Sequence, residues 1–136
     1  MFSEKIVTPE KIALYREQLA DNQDALDALD VIEEHGKISK AAKVIAIQED
    51  IEGVIDNAAL DWFDEMLQKC RNFICKPQYE NLRQKYIPAL IPPLADFIAG
   101  VLACPPGVAA IIATPFAIYM NEEGMDKFCQ PIDPQP

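Results

Sequence analysis

At 136 residues the chain is long enough to bury one core without metals, and with half of its residues hydrophobic it falls outside the disordered class. Its 22 acidic against 12 basic residues leave a formal charge of −10, which repels phosphate and anionic headgroups and makes nucleic acid a poor partner. The start, MFSEKIVTPEK, has no long apolar run behind a basic residue, so a secretory signal is not expected and a cytoplasmic location is, with membrane association as the alternative.

Thr8-Pro9-Glu10 reads as a helix start: a capping hydroxyl, a proline suited to the first helical position and an acid near the positive helix end. Apolar residues at Ile12, Tyr15, Leu19, Leu26, Leu29 and Ile32 predict one amphipathic helix, bent near Asp21-Asn22 and closed by Gly36 in a positive-φ conformation. Along it Asp21, Asp24, Asp27 and Asp30 recur every three residues. That spacing drifts around a helix and makes a charged face, not a converging ligand set, and it lacks the alternation and central glycine of a calcium loop. Together with Asp96 these aspartates are the candidate partner-binding residues.

Ser39 is expected to cap a second helix with a broad apolar face of Ala41, Ala42, Val44, Ile45, Ile47 and Ile51. Gly53 and Asp56-Asn57 mark a break. Ile51, Ile55, Ala58, Trp62, Met66, Cys70 and Phe73 follow at steps of three and four, which is helical periodicity with Trp62 as the core anchor. Pro77 ends that helix, and residues 78–87 read as a short amphipathic one.

Residues 88–120 are the most distinctive stretch, PALIPPLADFIAGVLACPPGVAAIIATPFAIYM, in which Asp96 is the only charge. The prolines predict helices over about 93–104 and 108–119 joined by Pro105-Pro106-Gly107, then another turn or two up to Cys129. An all-apolar hairpin suits the centre of a bundle, a bilayer or a docked partner chain. Each arm falls short of the roughly 20 apolar residues a span needs, and Lys and Arg are absent from Pro88 to Asp126, so basic membrane anchors are missing. Packing by protein is therefore the favoured expectation.

No catalytic constellation emerges. Cys70, Cys75, Cys104 and Cys129 form no CxxC pair and are expected as reduced, mostly buried thiols with no metal and no cofactor. The five glycines are too scattered to cradle a phosphate, and His35 lacks an identifiable partner group. Asp61, Asp64 and Glu65 lie on the outward face of their helix. The run from Gly36 to Ile47, with Ser39, Ala41 and Ala42, resembles the first half of a helix-turn-helix. The segment after it, 48–56, carries Glu49, Asp50, Glu52 and Asp56 where such a motif needs bases and amides against DNA.

The sequence thus predicts an all-α, single-domain bundle of five to seven helices over residues 1–130. Acidic amphipathic helices occupy 8–76, the apolar hairpin 88–120, and a proline-rich tail 131–136. The expected function is non-catalytic: a small helical interaction or accessory protein that binds a protein partner, or a further copy of itself, through the acidic face or the hairpin. A membrane-associated protein using residues 93–120 as an anchor or pore element is the alternative, and a helical DNA-binding regulator a weaker one.

Overall fold

The computed structural model describes residues 5–51, 59–76 and 87–129. Among them are seven helices and no strand, the all-α bundle expected: α1 (Pro9–Gln18), α2 (Gln23–His35), α3 (Ile38–Gln48), α4 (Ala59–Ile74), α5 (Ile87–Leu102), α6 (Pro106–Glu123) and α7 (Met125–Cys129). The expected break at Gly53 and Asp56-Asn57, the stripe residues Ile55 and Ala58, the helix over 78–87 apart from Ile87, and the tail 131–136 lie outside the described residues.

The start of α1 is as expected, with Thr8 Oγ1 accepting from the Lys11 amide at 3.3 Å and Pro9 in the first turn. Its continuation is not. The helix ends at Gln18, and Asn22 caps a separate α2, its side chain accepting from the Ala25 amide at 3.1 Å. An asparagine at this position satisfies one of the orphan donors of a new helix. Gly36 closes α2 at φ 79°, donating its N–H to the Ile32 carbonyl at 2.7 Å. A lone bridge between Ile6 and Lys37 ties the N-terminal segment to the α2–α3 corner, supported by the Ile38 amide bonding the Lys5 carbonyl at 3.0 Å.

Ser39 is not the cap of α3. Lys37 holds that position without a side-chain bond, and Ser39 is buried in the first helical turn. Trp62 is buried as expected, along with Met66 and Cys70, while Phe73 is half-buried. The apolar face of α4 is wider than the stripe read from sequence, because Phe63, Leu67 and Ile74 are buried as well.

Both hairpin arms are longer than their prolines predict. α5 starts near Ile87 and carries Pro92 and Pro93 inside it, and α6 starts at Pro106 and runs through Pro115 to Glu123. Pro115 cannot donate to the Ile111 carbonyl; one residue earlier the Thr114 hydroxyl donates to the Ala110 carbonyl at 3.1 Å. α6 packs against α2, α3, α5 and α7, and every residue from Ile112 to Met120 is buried. That is over two full turns with no exposed face, the pattern of a central helix. α4 reaches it through aromatic contacts. Phe63 stacks on Phe116 at 4.7 Å, and Trp62 and Tyr119 meet these rings edge-on. The hairpin is therefore packed by protein from within the same chain.

Candidate functional site

The acidic face is built by the α1–α2 corner. Asp21 lies in the connecting turn, Asp24 in the first turn of α2, and Asp27 and Asp30 further along it. Asp21, Asp27 and Asp30 are exposed and Asp24 is half-buried. Each step of three residues rotates about 60° around the helix, so the three helical aspartates spread over a third of its circumference. Asp27 accepts from Gln23 Nε2 at 2.9 Å. The guanidinium of Arg16, on α1, forks across the next turn, 2.8 Å from Asp30 and 3.0 Å from Glu33. The bond to Asp30 is the main cause that holds Arg16 more firmly charged than usual. α1 thereby compensates part of the charge that α2 carries. Asp96 is exposed on α5, an element that packs chiefly on α4 and α6, so it belongs to a different surface from the α2 aspartates.

A second polar group gathers at the C-terminal end of α6, and sequence reasoning missed it. Tyr15, buried on α1, donates its hydroxyl to Glu122 and accepts from Asn121 Nδ2 at 2.9 Å. Burial, reinforced by the Glu122 carboxylate, pushes the Tyr15 phenol well above its ordinary range. Lys11 approaches Glu122 at 3.5 Å. Glu123 is bracketed by Lys5 at 2.8 Å and Lys127 at 3.7 Å, and Lys5 also lies 5.6 Å from the Tyr119 ring centroid. Carboxylates stand unfavourably at the negative end of a helix, and three lysines offset that here. The group fastens the N-terminal segment, α1 and α7 onto the end of the central helix.

Two open concavities flank α5. One, of about 520 Å³, lies between the ends of α3 and α5 and is lined by Glu49, Asp50, Ile51, Leu102, Cys104 and Pro105. Asp50 and Ala103 both hold positive φ there, 59° and 53°. The other, of about 280 Å³, is lined by Phe73, stacked on Phe97 at 4.5 Å, and by Lys69, Asn72, Lys76 and Val101.

The cysteines differ from expectation. Cys75 and Cys129 form a disulfide, with Cα atoms 5.4 Å apart, so the four thiols are not all reduced. The bond joins the end of α4 to the end of α7, two elements that only the folded chain brings together, which is why spacing gave no hint of it. Cys70 is fully buried and its thiol is pushed up to about 12 by desolvation, which makes it chemically inert at neutral pH. Burial also raises the half-buried Cys104 thiol, with Glu49 adding to the effect.

Among the described residues, no group of three or more His, Cys, Asp or Glu side chains is placed to hold a metal ion. Glu65, exposed on α4, pairs with Lys69 at 3.9 Å one turn on. No protein-family model, no curated protein and no solved structure matches the chain.

Proposed function

We propose that the protein is a non-catalytic helical interaction module that binds a protein partner of basic character through the acidic corner between α1 and α2. The observation that carries this reading is the exposure of Asp21 in the α1–α2 turn and of Asp27 on α2, beside a fork in which Arg16 fixes the neighbouring Asp30 and Glu33. A surface with part of its charge ordered in advance presents the remainder at defined positions. Electrostatic complementarity of this kind steers encounter and selects partners more than it adds affinity. The hairpin, occupied in packing the core, is not the docking surface in this reading.

The disulfide between Cys75 and Cys129 favours work in an oxidising compartment over the reducing cytosol. The test is capture from the native host with the wild-type chain and with an Asp21→Asn/Asp27→Asn variant of equal melting temperature. A partner retained by wild type, eluted by salt and lost with the variant supports the reading. A partner held equally by both moves the surface elsewhere.

A further inference from the structure

The charges of the α5–α6 hairpin share one property. From Pro88 to Asp126 there is no Lys or Arg. The hairpin helices carry Asp96, Glu122 and Glu123 and no other charged side chain. All three are carboxylates, the one class of charge that acid removes. Protonated, the two arms would be uncharged along their whole length. A lysine or arginine could not be silenced in this way.

The ties between the hairpin and the outer segments run through the same groups. Glu122 receives Tyr15 and Lys11 from α1, and Glu123 receives Lys5 from the N-terminal segment and Lys127 from α7. Glu122 and Glu123 are mostly buried, at 15% and 18% side-chain exposure, so their pairing is shielded from solvent. On the α5 side, Asp96 is exposed and next in sequence to Phe97, which lines the smaller concavity together with Lys69, Lys76 and Val101. Neutral carboxyl groups at these positions would end the ion pairs at the end of α6 and lift the charge that opposes burial in hydrocarbon.

Among the described residues no single helix is long and apolar enough to cross a membrane, but by length and composition α5 and α6 together are, as a pair bent by 114° between Leu90–Leu102 and Pro106–Glu123. The arms have 16 and 18 residues, about 24 and 27 Å at 1.5 Å per residue, just under a hydrocarbon thickness of ~30 Å. The arms are helical and pair most of their backbone groups internally, the first condition for entering lipid, with gaps only where Pro92, Pro93 and Pro115 supply no amide. At neutral pH the net charge of −10 opposes anionic bilayers, whereas protonation of the 22 acids leaves the 12 basic residues to attract them.

We propose that acidification releases the α5–α6 hairpin from the bundle and drives it into a lipid bilayer. This goes beyond protein binding at the α1–α2 corner and does not depend on it. The test uses the intact, disulfide-bonded chain with phosphatidylcholine vesicles, with and without phosphatidylglycerol, floated on a density gradient. Expected is no association at neutral pH, and at about pH 4, where carboxylic acids take up protons, association that resists washing in high salt. Val101 is exposed on α5, so Val101→Lys leaves the neutral fold and its melt intact while placing a permanent cation on the hairpin. It should reduce salt-resistant association by roughly tenfold or more, and Asp96→Lys should do the same. Glu122→Gln/Glu123→Gln, checked by circular dichroism, should move the midpoint of association to higher pH. Absence of salt-resistant association at any pH, undiminished association of the two lysine variants, or an unmoved midpoint in the glutamine variant would overturn the proposal.

Discussion

Tyr15 shows how one side chain can join distant parts of the chain. Its ring lies in the core and its hydroxyl meets Asn121 and Glu122, more than a hundred positions away. A buried hydroxyl without a partner costs free energy, so the Glu122 bond is a condition of the ring being buried there. Tyr15→Phe keeps the ring and removes the bond. The expected cost is about 1.5–3 kcal/mol in urea unfolding at neutral pH, the order for a hydrogen bond to a charged group. The phenol adds a pH dependence whose sign follows from its raised pKa. The native state holds the proton more tightly than the unfolded chain does. The contribution is therefore complete below about pH 10, the ordinary tyrosine value, and is lost as pH rises through the higher native one. Urea melts between about pH 9 and pH 11 should show wild type losing stability faster than Tyr15→Phe; parallel slopes would remove Tyr15 from the account.

At the level of elements, the turn between α1 and α2 is decided by capping chemistry. The apolar spacing from Ile12 to Ile32 continues across it, which is why a single bent helix is the natural sequence reading. The Asn22 cap divides it. Asn22→Ala should cost about 1 kcal/mol, the usual effect of deleting a side-chain cap, read as a lowered urea midpoint at unchanged m-value. Periodicity and caps made the all-α class, the start of α1, the close of α2 at Gly36 and the core position of Trp62 legible, because each depends on residues a few positions apart. The prolines misled in proportion to how local the reading was. Pro92 and Pro93, read as the start of an arm, lie inside α5, whose packing overrides their propensity, whereas Pro115 lies inside a helix as the reading had it. Of the candidate site, the aspartates of the α1–α2 corner were legible as a run. Their compensation by Arg16 and the gathering of Lys5, Lys11, Tyr15 and Lys127 on Glu122 and Glu123 were not, since nothing in one stretch of sequence reports on a neighbour in space. The same limit hid the wider face of α4, although Phe63, Leu67 and Ile74 repeat at helical spacing beside the stripe that was read.

For the molecule as a whole, the central helix and the disulfide divide the work of holding the bundle together. α6 is the axis, and positions along it are not equivalent: Ala113 is fully buried, whereas Ile111 is only partly so. A carboxylate at Ala113 has no route to water, so Ala113→Glu should leave no folded protein at neutral pH. Ile111→Glu should melt lower but cooperatively by circular dichroism. The Cys75–Cys129 bond acts on the unfolded chain instead. It spans 54 residues of sequence, and the loop it closes contains α5, α6 and nearly all of α7. Closing a loop of that length removes chain entropy worth about 4 kcal/mol in the unfolded state, on the loop-closure account. Cys70 is sealed in the core and does not compete for the bond. A Cys75→Ser/Cys129→Ser variant should therefore fold to the same helical spectrum with a stability lower by about 2–4 kcal/mol, and added reductant should bring wild type to the same midpoint without affecting the variant. A variant as stable as wild type would mean that packing of Phe128 and the Glu123–Lys127 pair already hold α7 in place, and that the covalent bond contributes nothing to the equilibrium.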